Sequence, residues 1–413
     1  MASKFQAPRG TFDVLPEQAR PRRALERAAA EIFGRAGYEP IATPVFEDTD
    51  LFERGVGRST DIVRKEMFTF EDKGGRSLTL RPEGTASICR AYLEHGMQKL
   101  AQPVKLFYLG PFFRHERPQA GRYRQFHQLG VECIGTDSPL ADAEAIMLLS
   151  DLLGEMGVPG VELRLGSLGS FEARRSYLED LKAHLHAHEG ELPKDVRERI
   201  DVNPLRAFDS DDEGTRGVMA SAPTIVGRLE GEDAEHFEQV RALLDAAGIA
   251  YVVDPTLVRG LDYYTRTIFS FVCDRLGAQS EIGGGGRYDG LIEQLGGAPT
   301  PAVGFAAGIE RILLALGEEE VEQPRNKVFI SYEREDAEKA VALLSDLRHA
   351  GFSAEVDLAG RGQKGQLKHA NRIGAKFVVF LHGESTELRN MDSGEQRPVK
   401  LANLAEEMKG LNS

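Results

Sequence analysis

A charged stretch that contains proline, GEEEVEQPRN at positions 317–326, divides this sequence into two parts with different patterns. Charge runs followed by proline are typical of linkers, because proline interrupts regular structure. After the stretch, apolar segments alternate between strand and helix spacing, from VFISY to a closing helix in LANLAEEM. This alternation predicts a small α/β domain over 326–413. Residues 1–325 then form a larger domain, and a chain of 413 residues has room for both.

The larger part mixes helix-like and strand-like patterns. Apolar residues at helical spacing predict a helix after Pro16. The segment YEPIATPVFE predicts a strand at the edge or end of a sheet, because Pro44 cannot donate a ladder hydrogen bond. Ser138 and Pro139 form a typical helix start. Further strands are predicted at 78–80, 104–114 and 161–167.

The charge balance limits the partners of this chain. A net charge of −14 argues against a general polyanion binder, so any contact with nucleic acid must be local. More than half of the excess negative charge lies in 189–238, which holds 14 acidic residues against 6 lysines and arginines. We expect that stretch to be solvated rather than core, within a helical, acidic insertion at about 170–250.

Several classes of protein are disfavoured. The three cysteines form no CxxC pair, which suits a reducing cytosol and argues against a zinc–thiolate site. The start MASKFQAPRG has no apolar signal region, and no apolar run reaches the roughly 18 residues that span a membrane. Walker A, HExxH and GxSxG motifs are absent, so nucleophilic and zinc chemistry lack support. We expect a cytoplasmic protein with no membrane span and no protein-bound metal site.

The stretch RHERPQAGRYRQFHQ at 114–128 is basic in an acidic chain, with four arginines and one acid. It suits a nucleic-acid patch, a clamp for a triphosphate, or an ordinary solvated loop. Another basic stretch, 358–383, contains a GxGxxG pattern at 360–365. That pattern alone is weak evidence for a dinucleotide site. A basic loop facing phosphate or RNA, or a solvated turn, explains it as well.

Two motifs place charged and aromatic groups close together. In TLRPEGTA, an extended backbone would put Arg81, Glu83 and Thr85 on one face, where a carboxylate beside a hydroxyl can accept an ammonium group. A surface ion pair between Arg81 and Glu83 is the alternative. In LVRGLDYYTRT, Arg259 offers a planar fork for carboxylate or phosphate. Adjacent tyrosines in a strand point to opposite faces, so at most one of them should share a pocket with Arg259; aromatic packing is the alternative.

Two glycine-rich segments are the remaining stretches that could contact a ligand. EIGGGGRYDGL has four consecutive glycines, which suit a backbone that a ligand approaches closely, or a loose loop. GFAAGIERILLAL places small residues before a helix whose N-terminus near Gly308 favours an anion, with Arg311 in its first turn. Arg311 could equally be part of the polar face of an amphipathic helix.

Together these stretches resemble the histidyl-tRNA synthetase family of class II aminoacyl-tRNA synthetases. The resemblance rests on RGTFDVLP, TLRPEGTA, FRHERPQAGRYRQFHQLGVE, LVRGLDYYTRT, GGGGRYDGL and AVGFAAGIERILLAL, which span nearly all of the first part. It implies an α+β catalytic core with a mainly antiparallel sheet and a C-terminal α/β anticodon-binding domain. It also implies a homodimer that uses L-histidine, ATP with Mg²⁺, and tRNA(His), charging the tRNA through a histidyl-adenylate.

The resemblance implies roles for single residues. Arg114 and Arg259 would be catalytic, since Arg114 would hold the α-phosphate and Arg259 would bridge it to the substrate carboxylate. The residues implied for ATP are Arg114, Glu116, Phe126 and Arg311. Those implied for histidine are Glu83, Thr85, Gln128, Glu132, Arg259, Tyr263 and Tyr264, with Glu132 and Tyr264 reading the imidazole. Those implied for tRNA are Arg117, Gln119, Arg122, Arg124, Arg361, Lys364 and Lys368.

Two other functions remain open. Synthetase-like regulatory subunits of ATP phosphoribosyltransferase keep the core as a histidine sensor, but they typically lack the anticodon domain and have altered site residues. A tRNA-binding module without catalysis would have no reason to keep Glu83, Glu132 and Arg311 together. Residues 327–413 are present, and Arg114, Arg259 and Arg311 all remain, which favours the enzyme.

Overall fold

The structure is a computed structural model that describes residues 5–57, 60–317, 327–401 and 404–410. The chain divides into two units, Met1–Glu319 and Glu320–Ser413. All but the first residue of the predicted linker, 318–326, lies outside the described residues.

The first unit contains eleven strands and ten helices among its described residues. The strands are β1 (Glu39–Pro40), β2 (Phe46–Asp48), β3 (Phe68–Glu71), β4 (Ser77–Leu80), β5 (Val104–Phe113), β6 (Gln125–Ile134), β7 (Val161–Ser167), β8 (Val252–Val253), β9 (Thr265–Cys273), β10 (Glu281–Arg287) and β11 (Ala302–Gly308). The helices are α1 (Pro16–Arg35), α2 (Thr49–Gly55), α3 (Thr85–Glu94), α4 (Pro139–Glu155), α5 (Phe171–Ala187), α6 (Lys194–Arg197), α7 (Glu213–Met219), α8 (Gly231–Ala246), α9 (Leu291–Gln294) and α10 (Ile309–Leu316).

Eight of these strands form one sheet in the order β1-β5-β6-β11-β10-β9-β7-β8, and the remaining three form a small sheet in the order β2-β4-β3. The large sheet is antiparallel from β5 to β7, and only its outermost pairs, β1 with β5 and β7 with β8, are parallel. The mainly antiparallel core expected from the resemblance is confirmed.

Local sequence explains the helix starts. Pro16 and Pro139 occupy first helical positions, where a missing N–H costs nothing. The Ser138 hydroxyl accepts a hydrogen bond of 3.3 Å from the backbone of Leu140 and so caps α4. The single strand expected in YEPIATPVFE is wrong. The chain instead forms β1 and β2 in two different sheets, on either side of Pro44, because proline cannot continue a hydrogen-bonded ladder.

The two faces of the large sheet are covered differently. On one face, α1, α4, α8 and α10 bury an apolar cluster that includes Phe33, Leu149 and Phe305. Successive side chains of a strand alternate between faces. Residues 126, 128 and 132 of β6 therefore face away from that cluster, on the side where Tyr108 and Tyr288 are buried. The candidate site lies on this second face.

The acidic insertion (residues 170–250) comprises α5 to α8 with short 3₁₀ turns between them. The expectation that 189–238 is solvated rather than core is wrong in part. Several of its apolar side chains are buried, including Leu192, Ile200, Val218 and Phe237. The acidic residues dominate the composition, but Leu192, Ile200 and Val218 join one apolar cluster of the first unit and Phe237 joins the other.

The second unit has a five-stranded sheet of its own. It contains β12 (Lys327–Tyr332), β13 (Ser353–Val356), β14 (Phe377–His382), β15 (Ser385–Asn390) and β16 (Gln396–Pro398), in the order β13-β12-β14-β15-β16. The described helices are α11 (Ala337–His349), α12 (Gln363–Arg372) and α13 (Leu404–Gly410). The predicted α/β pattern is confirmed, and β15 and β16 extend the sheet in a polar stretch that gave no strand signal.

Candidate active site

Glu83 closes the N-terminal end of α3. Its carboxylate accepts hydrogen bonds from the backbone N–H groups of Thr85 at 2.8 Å and Ala86 at 2.9 Å. Burial raises the pKa of Glu83, although these N–H groups favour its ionised form. The extended backbone that would put Arg81, Glu83 and Thr85 on one face does not form, because β4 ends at Leu80 and α3 begins at Thr85.

Arg81 takes no part in this site. Its guanidinium donates to the backbone oxygens of Thr43 and Pro111, at 2.9 Å each. It also lies over the ring of Phe112, 4.6 Å from the centroid. These contacts tie the segment before β2 to β5, and they replace the surface ion pair with Glu83 that the sequence left open.

Glu132, on β6, is fully buried and has two hydroxyl partners. Thr85 Oγ1 donates to one carboxylate oxygen at 2.8 Å, and the Tyr288 hydroxyl donates to the other. Gly304 lies opposite on β11, where a Cβ atom would fall 2.0 Å from the Glu132 carboxylate. Burial raises the pKa of Glu132 to about 8, despite the two hydroxyl donors. The site thus has a polar group that can exchange a proton with a ligand near neutral pH.

The two tyrosines lie in the tyrosine turn, which we define as residues 260–264. Both side chains are buried. The Tyr263 hydroxyl is 3.5 Å from the Glu83 carboxylate, and its ring is 4.8 Å from that of Tyr264, centroid to centroid. Of the two, Tyr264 is the tyrosine that lies beside Arg259, and the premise that both residues belong to a strand is wrong. The backbone here is not a strand, so neighbouring side chains need not point to opposite faces.

Arg259 pairs with Glu281 at the start of β10, and its guanidinium lies 5.7 Å from the ring centroid of Tyr264. Burial alone would lower the pKa of Arg259, but the Glu281 carboxylate raises it above the usual range. Gly284 leaves space for the pair, since a Cβ there would lie 2.9 Å from a guanidinium nitrogen of Arg259. The side chain is therefore a fixed cation beside the tyrosines.

The glycine run is part of a strand, not a loose loop. β10 lies between β9 and β11, and its glycines are buried. A Cβ at Gly285 would lie 2.0 Å from the backbone oxygen of Gly304, and one at Gly283 would lie 2.5 Å from the Cβ of Ala307. The strands approach so closely that only glycine fits.

Arg114 and Arg311 lie near the other end of β6. Arg114 donates to the backbone oxygen of Pro82 at 2.9 Å, and its guanidinium carbon is 5.4 Å from the ring centroid of Phe126. Arg311, in the first turn of α10, donates to the backbone oxygens of Gly121 at 3.1 Å and of Glu281. Burial lowers the pKa of Arg311, and the nearby Glu281 partly offsets this effect. An aromatic face and two cations are what an adenine ring and its phosphates require.

Gln128 supplies an unused acceptor on the same face of β6. Its side-chain oxygen is buried and has no hydrogen-bond partner. Buried polar atoms are normally satisfied, so such an atom suits the N–H or O–H of a ligand.

The β5–β6 loop (residues 114–124) carries the arginines proposed for tRNA. Gln119 and Arg122 exchange backbone hydrogen bonds of 3.1 and 2.9 Å, which closes a tight tip. The side chains of Arg117, Gln119 and Arg122 are exposed. Arg122 pairs with Glu116 at 2.9 Å, whereas Arg124 donates to the backbone oxygens of Glu116 and Arg9 within the protein.

In the second unit, Lys364 and Lys368 are exposed one turn apart on α12. Arg361 is held by Asp357, which accepts from its guanidinium at 2.5 Å and from its backbone N–H at 2.7 Å. The GxGxxG segment therefore begins as a turn closed by an ion pair and continues into the first residues of α12, which starts at Gln363.

Tyr288 and Glu281 belong to the site, yet the sequence motifs assigned them no role. Tyr288 follows Arg287, which is fully buried and ion-paired with Asp142. Arg287 also donates to the backbone oxygens of Thr136 at 2.8 Å and Ser138 at 3.1 Å. The RYDG motif thus fixes the position of Tyr288 with a buried arginine. The sequence signal for Tyr288 was an arginine and an aromatic residue directly after a run of four glycines.

No group of three or more His, Cys, Asp or Glu side chains in the described part of the chain could hold a metal ion. No described helix is long and apolar enough to cross a membrane. The cysteines Cys89, Cys133 and Cys273 are buried and free.

The first unit has an antiparallel sheet with a buried acid near one end of β6 and two arginines near the other end, and a separate mixed α/β unit follows it in the chain. This is the arrangement of a class II aminoacyl-tRNA synthetase. Residues 10–312 match the family described as histidyl-tRNA synthetase, and residues 312–411 match the anticodon binding domain. The chain belongs to the histidyl-tRNA synthetase family.

Individual relatives agree over nearly the full length. The chain is 48% identical to the histidine–tRNA ligase of Halothermothrix orenii, covering 98% of this chain and 99% of that protein. It is 47% identical to the histidine–tRNA ligase of Rubrobacter xylanophilus, covering 96% of each. The crystal structure of apo histidyl-tRNA synthetase from S. aureus superimposes with a TM-score of 0.82 at 39% identity, covering 98% of this chain and all of that one.

A Bacillus halodurans structure titled as an ATP phosphoribosyltransferase regulatory subunit/histidyl-tRNA synthetase has a TM-score of 0.69 at 24% identity, so it shows the shared fold alone. The regulatory-subunit alternative is not favoured, because the relatives that match nearly the whole chain at 47–48% identity are histidine–tRNA ligases. The predicted class of enzyme, an aminoacyl-tRNA ligase, is confirmed.

Proposed function

We propose that the described site joins L-histidine to ATP and then transfers histidine to the 3′ end of tRNA(His). The observation that carries this proposal is the buried Glu132, with Thr85 and Tyr288 as partners, on the same sheet face as Gln128 and Phe126. Glu132 and Tyr264 would contact the imidazole. A pocket built to hydrogen-bond a polar ring rejects amino acids without one, because its buried groups would stay unpaired.

The other end of histidine faces groups that suit an amino acid backbone. Glu83 and the unpartnered oxygen of Gln128 would accept from the α-ammonium group. Arg259 would hold the carboxylate against the α-phosphate. Arg114 would hold the same phosphate, Phe126 and Glu116 the adenine side, and Arg311 the γ-phosphate.

This arrangement suits an in-line reaction without a protein nucleophile. The histidine carboxylate attacks the α-phosphorus, and pyrophosphate leaves. Negative charge grows on the phosphoryl oxygens in the transition state, and the fixed guanidinium groups of Arg114 and Arg259 stabilise it. A ribose hydroxyl of the tRNA then attacks the adenylate, which releases AMP.

Mg²⁺ would be bound mainly by the ATP phosphates, where it neutralises charge. Oxygen ligands suit this ion, and carboxylates beside the arginines, Glu116 and Glu281, are the protein groups that fit. We propose one or two carboxylate ligands from the protein, with the ATP phosphates supplying most of the others.

For tRNA, the exposed Arg117, Gln119 and Arg122 of the β5–β6 loop would contact the acceptor end. Lys364 and Lys368 would contact phosphates near the anticodon. A homodimer is supported by the small sheet, where Phe46 and Phe70 are 48% and 43% exposed with their rings 6.3 Å apart. Free buried cysteines support a cytoplasmic location.

The test is histidine-dependent exchange of labelled pyrophosphate into ATP. We expect exchange with the native chain and none with folded Arg259→Ala. Arg175→Ala, an exposed arginine on α5, is the matched control and should exchange normally. Folded native protein that exchanges no pyrophosphate would refute the proposed reaction.

A further inference from the structure

The acidic insertion contacts the tyrosine turn directly. Arg174, in the first turn of α5, donates from one guanidinium nitrogen to the backbone oxygens of Asp262 at 2.9 Å and Tyr264 at 3.1 Å. These two carbonyls flank Tyr263. Burial lowers the pKa of Arg174, and Asp262 partly offsets this effect. A shielded cation on two carbonyls forms strong, directional hydrogen bonds.

A second contact lies just after the turn. Arg266 has a φ of 46°, in the left-handed region that side chains other than glycine seldom adopt. There the pairing of β9 with β10 slips, since Ile268 lies opposite Gly286 but Thr265 lies opposite Arg287. Such a bulge changes the direction of the chain and re-aims the side chains next to it.

The acidic insertion holds this bulge in place. The backbone of Arg266 exchanges two hydrogen bonds of 2.7 Å with Leu168 and Gly169, which immediately precede the insertion. Its side chain donates to Asp233 of α8 at 3.2 Å, and Asp233 also accepts from the backbone of Ser170 at 2.8 Å. Asp233 is only 8% exposed, so it is a fixed internal partner.

We propose that the acidic insertion is a brace for the tyrosine turn, with Arg174 and Asp233 as positioning residues for Tyr263 and Tyr264. Arg174 fixes the carbonyls on both sides of Tyr263, and Asp233 fixes the strained bulge that follows. The inference rests on the proposed function, since the tyrosines it positions are those that would contact histidine. Histidine binding then depends on helices that do not themselves line the ATP end of the site.

The experiment compares Arg174→Met, which removes both hydrogen bonds, with Arg174→Lys, which keeps the charge. Arg175→Met, one residue along on the exposed side of α5, is the control. In histidine-dependent pyrophosphate exchange, we expect Arg174→Met to raise the KM for histidine roughly tenfold while the KM for ATP changes less than about twofold. Arg174→Lys should recover part of the loss, and Asp233→Asn should shift the histidine KM in the same direction.

Hydrogen exchange of the backbone amides at 262–266 gives a readout that needs no activity. We expect it to be faster in Arg174→Met and unchanged in Arg175→Met. A folded Arg174→Met protein with a native KM for histidine and native amide exchange at 262–266 would overturn the brace. An equal rise in the KM values for histidine and ATP, together with a lowered melting temperature, would overturn it as well. Native protein without pyrophosphate exchange refutes the proposed function instead, and amide exchange still tests the brace.

Discussion

Glu132 accepts hydrogen bonds from Thr85 and Tyr288 where water does not reach. Burial raises its pKa from an ordinary 4.5 to about 8. Between these two pH values, the folded chain therefore keeps a proton that the unfolded chain releases. The stability that this proton contributes is complete below about pH 4.5 and is lost as the pH rises through about 8. Under the proposed role of Glu132, folding and histidine binding would respond to the same proton.

Replacing Glu132 by glutamine removes this titration. We expect the free energy of unfolding of the native chain, relative to Glu132→Gln, to fall between pH 5 and 8 by at most about 1.4 kcal/mol per pH unit. Denaturant unfolding at several pH values measures the difference. Glu144→Gln, which removes a half-buried partner of Lys105, is the control. Parallel pH profiles for native and Glu132→Gln proteins would contradict the raised pKa.

At the scale of elements, β10 is a strand whose close approach to its neighbours requires glycine. Gly285→Ala would place a methyl group 2.0 Å from the backbone oxygen of Gly304. Backbone atoms of a central strand cannot move aside as a flexible side chain can. We expect Gly285→Ala to lower the free energy of unfolding by about 2 kcal/mol or more, measured by denaturant titration.

Gly154→Ala is the matched control, because this helical glycine in α4 has open space around its Cβ position. Alanine there should raise the free energy of unfolding by about 0.5–1 kcal/mol, since glycine disfavours helix. A Gly285→Ala protein as stable as Gly154→Ala would show that β10 and β11 can separate at little cost.

The same elements show what sequence could and could not predict. Helices with proline starts and strands with strong apolar patterns were predicted, because their signals are local. The glycine run was ambiguous, since its meaning depends on how near β9 and β11 come. The strand break at Pro44 depends on which sheet each half joins. The polar β15 gave no strand signal, because its backbone is paired by a neighbour rather than favoured by its own residues.

For the site, motif residues were identified but their partners were not. Tyr288 and Glu281 act through contacts more than twenty residues away along the chain, with Glu132 and Arg259. No spacing rule links such pairs. Similarly, the turn that brings both tyrosines together depends on Arg174, whose role cannot be inferred from its neighbours in sequence.

At the scale of the whole molecule, the two units have separate apolar cores. The groups proposed for histidine and ATP all lie in the first unit. We therefore expect removal of residues 327–413 to weaken tRNA charging far more than pyrophosphate exchange, when both are measured on the same preparation. Equal losses in the two assays would count against an anticodon role for the second unit.

A finer version leaves both units intact. Charge reversal at Lys364 and Lys368 should raise the KM for tRNA and leave pyrophosphate exchange unchanged, because these lysines are exposed on α12. Lys400→Glu, another exposed lysine of the same unit, is the charge-matched control for Lys364→Glu and Lys368→Glu tested one at a time.

The register of β6 has one more consequence. Gln128 and Glu132 lie four residues apart on the same face, and the pairing of Gly308 and Gly304 opposite them prevents a slip. Under the proposed roles, Gln128 contacts the amino end of the substrate and Glu132 contacts its ring, so the spacing of these two residues sets the length of substrate that fits. An analogue longer by one methylene group could contact either Gln128 or Glu132 but not both, and its carboxylate would miss the α-phosphate. Selection by length would thus add to selection by hydrogen bonding, and stiffness of the sheet would determine how strict it is.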